Sequence, residues 1–240
     1  MLPAQTIAEV RADGSYRTVI TESGDEYSAM ALLLSVGTRY RRLNVPGEED
    51  FIGAGIHFCA TCDGPFYKGE QMVVIGGGNS ALEEGLFLTR FAEKVTLLVR
   101  GDSLRASQIL QEKAANHPKM EIRFNTTVHE FRGKRRLSGV VVKDGKSNAT
   151  EEIHPGAVFV FIGLDPNTGF LSNLVELDDW GFVRTFDNMQ TSVEGIFAAG
   201  DARAGSTKQV ASAVGEGAAA ALMIRQYLEK LGGRRGYRGD

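Results

Sequence analysis

The apolar run Met72-Val73-Val74-Ile75, closed by Gly76-Gly77-Gly78 and followed at once by Asn79-Ser80-Ala81, leaves this chain few folds to choose from. A short β-branched run bounded by glycine reads as a buried strand. The residues after it read as a helix over 79–91, with Leu82, Leu86 and Phe87 on one face and Glu83 and Glu84 on another. Gly76, Gly78 and Ala81 fit the pattern G-x-G-x-x-A. The first glycine makes a tight turn, the second lets backbone approach a pyrophosphate, and the small third residue lets helix and sheet pack closely. The helix N-terminus then offers free N–H groups and the positive end of its dipole to phosphate. Glycine-rich turns that bind nothing are the alternative, but the place between strand and helix favours a dinucleotide.

The flanking sequence repeats the alternation. A strand over 95–99, a helix over 107–116 opened by Ser107 and stopped near Pro118, and a strand over 121–124 follow in order. From 128 to 153 the pattern becomes strand, turn, strand, with Lys143-Asp144-Gly145-Lys146 as the turn, and the apolar run 157–162 closes the unit. The order β-α-β-α-β followed by a β-meander predicts an α/β, Rossmann-like nucleotide domain with a small antiparallel layer, over 43–165. Residues 1–42 read as β-structure: strands over 6–10 and 16–21 around Asp13-Gly14, a turn at Ser23-Gly24-Asp25, and an apolar strand over 30–36 expected to be covered on both faces. Arg39-Tyr40-Arg41-Arg42 and Val45-Pro46-Gly47 read as an exposed crossover. Residues 166–240 hold a buried strand ending at Gly200-Asp201 and an alanine-rich helix over 208–231. The tail Gly232-Gly233-Arg234-Arg235-Gly236 reads as a solvated terminus rather than an RNA-binding fragment.

The two cysteines of the chain lie together in Cys59-Ala60-Thr61-Cys62-Asp63-Gly64, about a dozen residues before the glycine run. Thiols at this spacing close a small disulfide ring and reopen it. A structural zinc site would need further ligands, for which only His57 is near, and two incidental buried thiols are the other alternative. The neighbouring dinucleotide fingerprint favours redox use. At the end of the second strand an NAD site places a carboxylate for the ribose hydroxyls; here stand Val99-Arg100-Gly101, with Arg105 soon after. Two guanidiniums suit a 2′-phosphate and favour NADPH, unless they are simply surface arginines on a loop. Net charge is −3, which gives no broad pull toward nucleic acid. The start, Met1-Leu2-Pro3-Ala4-Gln5, lacks the basic and apolar stretches of a leader, and no apolar run is long enough for a bilayer, so a reducing, cytoplasmic setting is expected.

Together the motifs resemble those of the low-molecular-weight, flavin-dependent thioredoxin reductases. The matching pieces are the Cys59–Cys62 segment, Val74-Ile75-Gly76-Gly77-Gly78-Asn79-Ser80-Ala81, Arg100 with Arg105, and Phe161-Ile162-Gly163 with Pro166-Asn167-Thr168. Further on come Gly195-Ile196-Phe197-Ala198-Ala199-Gly200-Asp201 and Lys208-Gln209-Val210-Ala211-Ser212-Ala213, with Gly215-Glu216-Gly217. The resemblance implies an NADPH domain inserted into an FAD domain, a homodimer, and electron flow from NADPH through FAD to the disulfide and on to a thioredoxin-like protein. It implies that Cys62 faces the flavin, that Cys59 is its partner, and that Asp63 is the general acid and base for the thiols. It implies that Asp201 bonds the ribityl chain, and that Gln209 and Val210 open the helix whose dipole faces the flavin. The same resemblance brings Glu83, Ile162, Gly163, Gly37, Thr38, Lys208 and Ala211 into the expected cofactor sites.

The sequence departs from the family pattern in two places. Val99 and Gly101 stand where such reductases usually carry a His and an Arg around the 2′-phosphate, which weakens the NADPH preference. The first G-x-G-x-x-G, which grips the FAD pyrophosphate, has no counterpart ahead of Gly37-Thr38. The FAD domain is therefore expected to be incomplete at its N-terminal side, with an open sheet, exposed apolar surface and weak flavin retention. A nucleotide-binding remnant without turnover and a flavin-dependent dithiol oxidase are the alternative functions, the arginines arguing against the oxidase.

Overall fold

The structure is a computed structural model describing residues 5–171 and 173–236, with side chains described to residue 232. Residues 1–4, read above for a leader, and the side chains of the arginine tail therefore lie outside the described residues. The chain divides into two compact units: residues 1–39 with 164–240, and the continuous stretch 40–163 between them.

The first unit begins with an antiparallel sheet of β1 (Ile7–Asp13), β2 (Tyr16–Thr21) and β3 (Glu26–Ala29), in that order. Gly14 takes φ +54° in the β1–β2 turn, where a side chain would be strained. After β3 come β4 (Leu32–Leu34) and β5 (Thr38–Tyr40). The apolar run 30–36 is thus a three-residue strand, and of its residues only Leu34 is fully buried while Ser35 is exposed. The expectation of cover on both faces fails because an apolar run records what a strand tolerates, not which elements arrive to cover it.

The middle unit carries β6 (Ile56–His57), α1 (Ala60–Asp63), β7 (Gln71–Ile75), α2 (Asn79–Leu88), β8 (Lys94–Leu98), α3 (Gln108–Ala115), β9 (Met120–Arg123), β10 (Thr126–Gly133), β11 (Leu137–Asp144), β12 (Thr150–Ile153) and β13 (Ala157–Val160). Five strands form a parallel sheet in the order β6-β13-β7-β8-β9. Strands β10, β11 and β12 form a separate antiparallel sheet. The pleat of β7 sorts its side chains between two cores. Met72 and Val74 face α2 with Leu82, Leu88, Val95, Leu97 and Phe159. Val73 and Ile75 face the meander with Val128, Phe131, Val140, Val142 and Val158. Helix, sheet, sheet is therefore a three-layer unit, and each fully buried leucine or valine contributes about 1.5–3 kcal/mol to it. Helix α2 ends three residues before the sequence pattern suggests. Lys119 Nζ donates to the carbonyls of Thr89 and Ala92 at 3.1 and 2.8 Å, which satisfies the groups that another helical turn would have used.

The chain then returns to the first unit with β14 (Leu164–Pro166), which pairs with β5, and β15 (Ile196–Ala198), which pairs in parallel with β4. Leu34, Leu171, Val175, Val183, Ile196 and Ala198 gather with Val10 into its core. The last element, α4 (Val210–Gly236), continues over Gly232-Gly233 where the sequence suggests a stop. Each glycine costs about 1 kcal/mol in a helix, a tax rather than a break. Along α4 the side chains of Val210, Val214 and Leu222 are exposed, and β4 and β15 form a two-stranded sheet, with β15 also bridged through Phe197 to Gln190.

Candidate functional site

Strand β7 has β8 on one side and β13 on the other, while the chain reaches β13 only after β9. The end of β7 is thus the point where strand order reverses, the usual place for a ligand in an open parallel sheet. Gly76 stands there with φ +148°, and a methyl group at its Cα would run into the Phe161 carbonyl and come within 2.8 Å of the Ala81 Cβ. The small residue at 81 is thus required by packing. Gly78 differs: it is the residue before α2, and a methyl group there would meet nothing within 4 Å. Its bare backbone opens the helix N-terminus to a ligand, which is the cradle a pyrophosphate needs. Ser80 and Glu83 are exposed on the first turns of α2.

The loop after β8 is tied to this turn. The Arg105 N–H donates to the Gly77 carbonyl at 2.7 Å, and the Ser107 N–H donates to Asn79 Oδ1 at 2.8 Å. Ser107 is the residue before α3, yet its hydroxyl makes no capping bond; the Asn79 side chain takes its N–H instead. Arg100 and Arg105 are both exposed, and neither has an ion-pair partner among the described residues. Ile162 packs on the meander side of the sheet, and Gly163, at φ +114°, accepts the Arg41 N–H at 3.1 Å.

Cys59 and Cys62 are joined in a disulfide at the edge of the same sheet, just after β6. Cys59 occupies the residue before α1, and its sulfur accepts the Cys62 N–H at 3.1 Å. On reduction that N–H favours thiolate at Cys59. Asp63 closes the same helical turn through its N–H to the Cys59 carbonyl. Its carboxylate lies 3.4 Å from Nδ1 of His57, and the other ring nitrogen of His57 lies 2.8 Å from the Tyr67 hydroxyl. Burial pushes His57 below the ordinary imidazole value, with Asp63 pulling the other way, so the ring is neutral at pH 7. Burial likewise raises Tyr67 and keeps its hydroxyl protonated. In the sequence His57 stood out only as a possible metal ligand, and Tyr67 not at all. A tight turn has no periodicity that would have flagged the pair.

The first unit holds the remaining expected residues. Gly37 takes φ +66°, and its carbonyl accepts the Asn167 N–H at 3.0 Å beside Thr38. Gly200 is pinned by its N–H to Glu216 Oε2 at 2.8 Å, and Glu216 also takes a two-pronged bond from Arg203 at 3.0 and 2.6 Å. The Oδ1 of Asp201 is buried and has no hydrogen-bond partner among the described residues. Such an acceptor costs about 1–3 kcal/mol until something donates to it, and a hydroxylated ligand such as the ribityl chain of a flavin fits that need. Lys208, at φ +58°, donates to the carbonyls of Asp201 and Arg203 at 2.6 and 3.0 Å and lies 4.0 Å from the Phe182 ring centre. Burial lowers its ammonium below the ordinary value, against the pull of Asp201 and Glu216. Val210 and Ala211 are exposed at the start of α4, next to Gln209.

Comparison with known proteins gives a consistent result. The family described as pyridine nucleotide-disulphide oxidoreductase matches residues 4–217. The chain is 44% identical over 212 residues to a thioredoxin reductase of Treponema pallidum, covering 88% of this chain and 69% of the relative. It is 42% identical over 222 residues to a thioredoxin reductase of Bacillus subtilis, covering 91% and 70%. The crystal structure of a thioredoxin reductase from Streptococcus pyogenes superposes with a TM-score of 0.89 at 38% identity, over 94% of this chain and 74% of that one.

Proposed function

This chain belongs to the pyridine nucleotide-disulphide oxidoreductases, and from that premise we propose that it acts as a thioredoxin-disulfide reductase. Bound NADPH and FAD supply the two-electron reduction that opens the Cys59–Cys62 disulfide. The residues of the chain bind, orient and move protons. Gly76, Gly77 and Gly78, with the N-terminus of α2, receive the NADPH pyrophosphate; Asn79 holds the loop that presents Arg105, and Arg100 and Arg105 receive the 2′-phosphate. Asp201 Oδ1 would accept from the ribityl hydroxyls of FAD, and Gly37, Thr38, Gly200, Lys208, Gln209, Val210 and Ala211 are the other residues that would hold that cofactor.

The observation that carries the reading is a disulfide at the end of β6 in the same compact unit, and on the same parallel sheet, as a dinucleotide cradle. Once reduced, the dithiol exchanges with a thioredoxin-like partner. Cys59, favoured as thiolate by the Cys62 N–H, attacks the partner disulfide, and Asp63 delivers the proton that the leaving sulfur needs. Cys62 then closes the ring again. A homodimer in the cytoplasm completes the proposal, on family resemblance; no helix among the described residues is long and apolar enough to cross a membrane. The test is NADPH consumption by the purified chain with a thioredoxin disulfide as acceptor, alongside the flavin absorbance spectrum. Consumption that follows the thioredoxin supports the reading. Consumption driven by oxygen alone would make it a dithiol oxidase, and NADPH binding without consumption a remnant.

A further inference from the structure

His57 is a buried titratable side chain next to the dithiol for which the proposed reaction has no use. It ends β6, is 8% exposed, and packs against Phe159 and Tyr67 with ring centres 5.5 and 5.2 Å away. Both its nitrogens are engaged: Nδ1 faces Asp63 Oδ2 at 3.4 Å and Nε2 faces the Tyr67 hydroxyl at 2.8 Å. Arg136 and Glu70 face Tyr67 in turn, and Phe159, which covers the ring, is uncharged.

A neutral imidazole has one donor and one acceptor. Asp63 as an anion can only accept; as an acid it donates. The Tyr67 hydroxyl does both. Two complete arrangements follow. With Asp63 ionised, Tyr67 O–H donates to Nε2 and Nδ1–H donates to Asp63. With Asp63 protonated, its O–H donates to Nδ1 and Nε2–H donates to the Tyr67 oxygen. A partner restricted to donating or accepting would satisfy one state of Asp63 and leave a buried polar atom unpaired in the other.

We propose that His57 is a positioning residue for dithiol–disulfide exchange, holding Asp63 through Nδ1 and switching tautomer against the Tyr67 hydroxyl so that Asp63 gives up and takes back a proton beside the sulfurs. This rests on the reading of Asp63 as the acid above. The step balances. The Cys59 thiolate forms a bond to one sulfur of the partner disulfide as that disulfide breaks, and the departing sulfur keeps the electron pair and takes the Asp63 proton. Cys62 loses its thiol proton to Asp63 as it attacks the mixed disulfide, the Cys59–Cys62 bond reforms, and the second partner sulfur leaves as thiolate. One dithiol is oxidised, one disulfide is reduced, and Asp63 ends as it began.

The test uses the full chain, reduced, freed of reductant and mixed in single turnover with two disulfides. A nitrobenzoate disulfide leaves as a stable thiolate and needs no acid; hydroxyethyl disulfide leaves as a basic thiolate and does. His57→Phe should slow the hydroxyethyl reaction about tenfold, a part of the ~10²–10⁴-fold that acid–base catalysis supplies, and turn its bell-shaped pH profile into a simple rise. The nitrobenzoate reaction should change by less than about twofold, since it asks for no acid. Tyr67→Phe, which keeps the ring and its packing, should reproduce the effect, and His57→Gln, whose amide both donates and accepts, should recover part of it. Equal slowing with both disulfides, or no slowing, in both His57→Phe and Tyr67→Phe would overturn the inference. If Asp63→Asn lowers the hydroxyethyl rate selectively, the acid reading survives that failure. If it does not, both readings fall.

Discussion

Replacing Arg100 and Arg105 by alanine should cost the protein its preference for NADPH over NADH. Arg105 is presented by a loop pinned through its own N–H to Gly77 at 2.7 Å, and Arg100 directly follows the buried Val99. Neither guanidinium is spent on an internal carboxylate among the described residues. A charge-assisted hydrogen bond contributes about 1.5–3 kcal/mol, and the exposure of both side chains puts each at the lower end. With about 1.4 kcal/mol per tenfold, each single replacement should weaken NADPH binding roughly tenfold and the pair about a hundredfold. NADH, which lacks the phosphate, should bind nearly as before. Because the arginines face solvent, the NADPH advantage should also shrink as salt rises toward about 1 M, where screening acts over only ~3 Å. Calorimetric titration of the purified chain with each cofactor reads both effects. Equal losses for NADH and NADPH, or no loss for either, would refute the assignment of these arginines.

Three further outcomes follow from the geometry. Alkylation and mass spectrometry should find Cys59 and Cys62 blocked without reductant and doubly alkylated after dithiothreitol; two free thiols after mild oxidation would argue against a redox pair. Gly76→Ala places a methyl group against the Phe161 carbonyl at a positive φ and should destabilise the middle unit by about 1–3 kcal/mol in denaturant unfolding, whereas Gly78→Ala should leave stability within ~0.5 kcal/mol and weaken NADPH binding; the reverse pattern would be inconsistent with the cradle. Glu216→Ala strands the part-buried Arg203 and the Gly200 N–H and should cost about 1–3 kcal/mol by the same unfolding measurement. Because hydrogen bonds from Arg203 hold the Glu216 carboxyl below its ordinary value, the wild-type contribution is present above the normal carboxylate range and is lost as pH falls through and below it; a stability profile flat in acid for wild type and variant alike would contradict this.

The parts of the fold that were legible in sequence are those where local chemistry leaves one option. The run 72–75 is apolar on both faces of its pleat, and Gly76, which ends it, sits where packing admits only glycine, so β7, its turn and the start of α2 could be read directly. The helix ends were harder, since Lys119 closes α2 from a residue 30 positions away from Thr89, and Asn79 serves α3 across 28. No local window contains such pairs. The extent of β4 was misjudged because cover comes from other elements. At the site the dithiol was legible from spacing and Asp63 came from the family resemblance, while the His57–Tyr67 bond depended on a 3-10 turn that carries Tyr67 back to the strand end. Asp201 could be named from the motif, but its orphaned oxygen is a fact of packing.

The hydrogen bond from Arg41 to Gly163 joins the two ends of the middle unit within a single ladder step. An insertion whose ends already meet asks its host only for one short gap, and the entropy of closing that gap does not grow with what is folded inside it. Residues 40–163 therefore have the makings of a cassette: a sheet, a dinucleotide cradle and a redox pair that a loop of another protein could accommodate, or that a short linker could close into a circle.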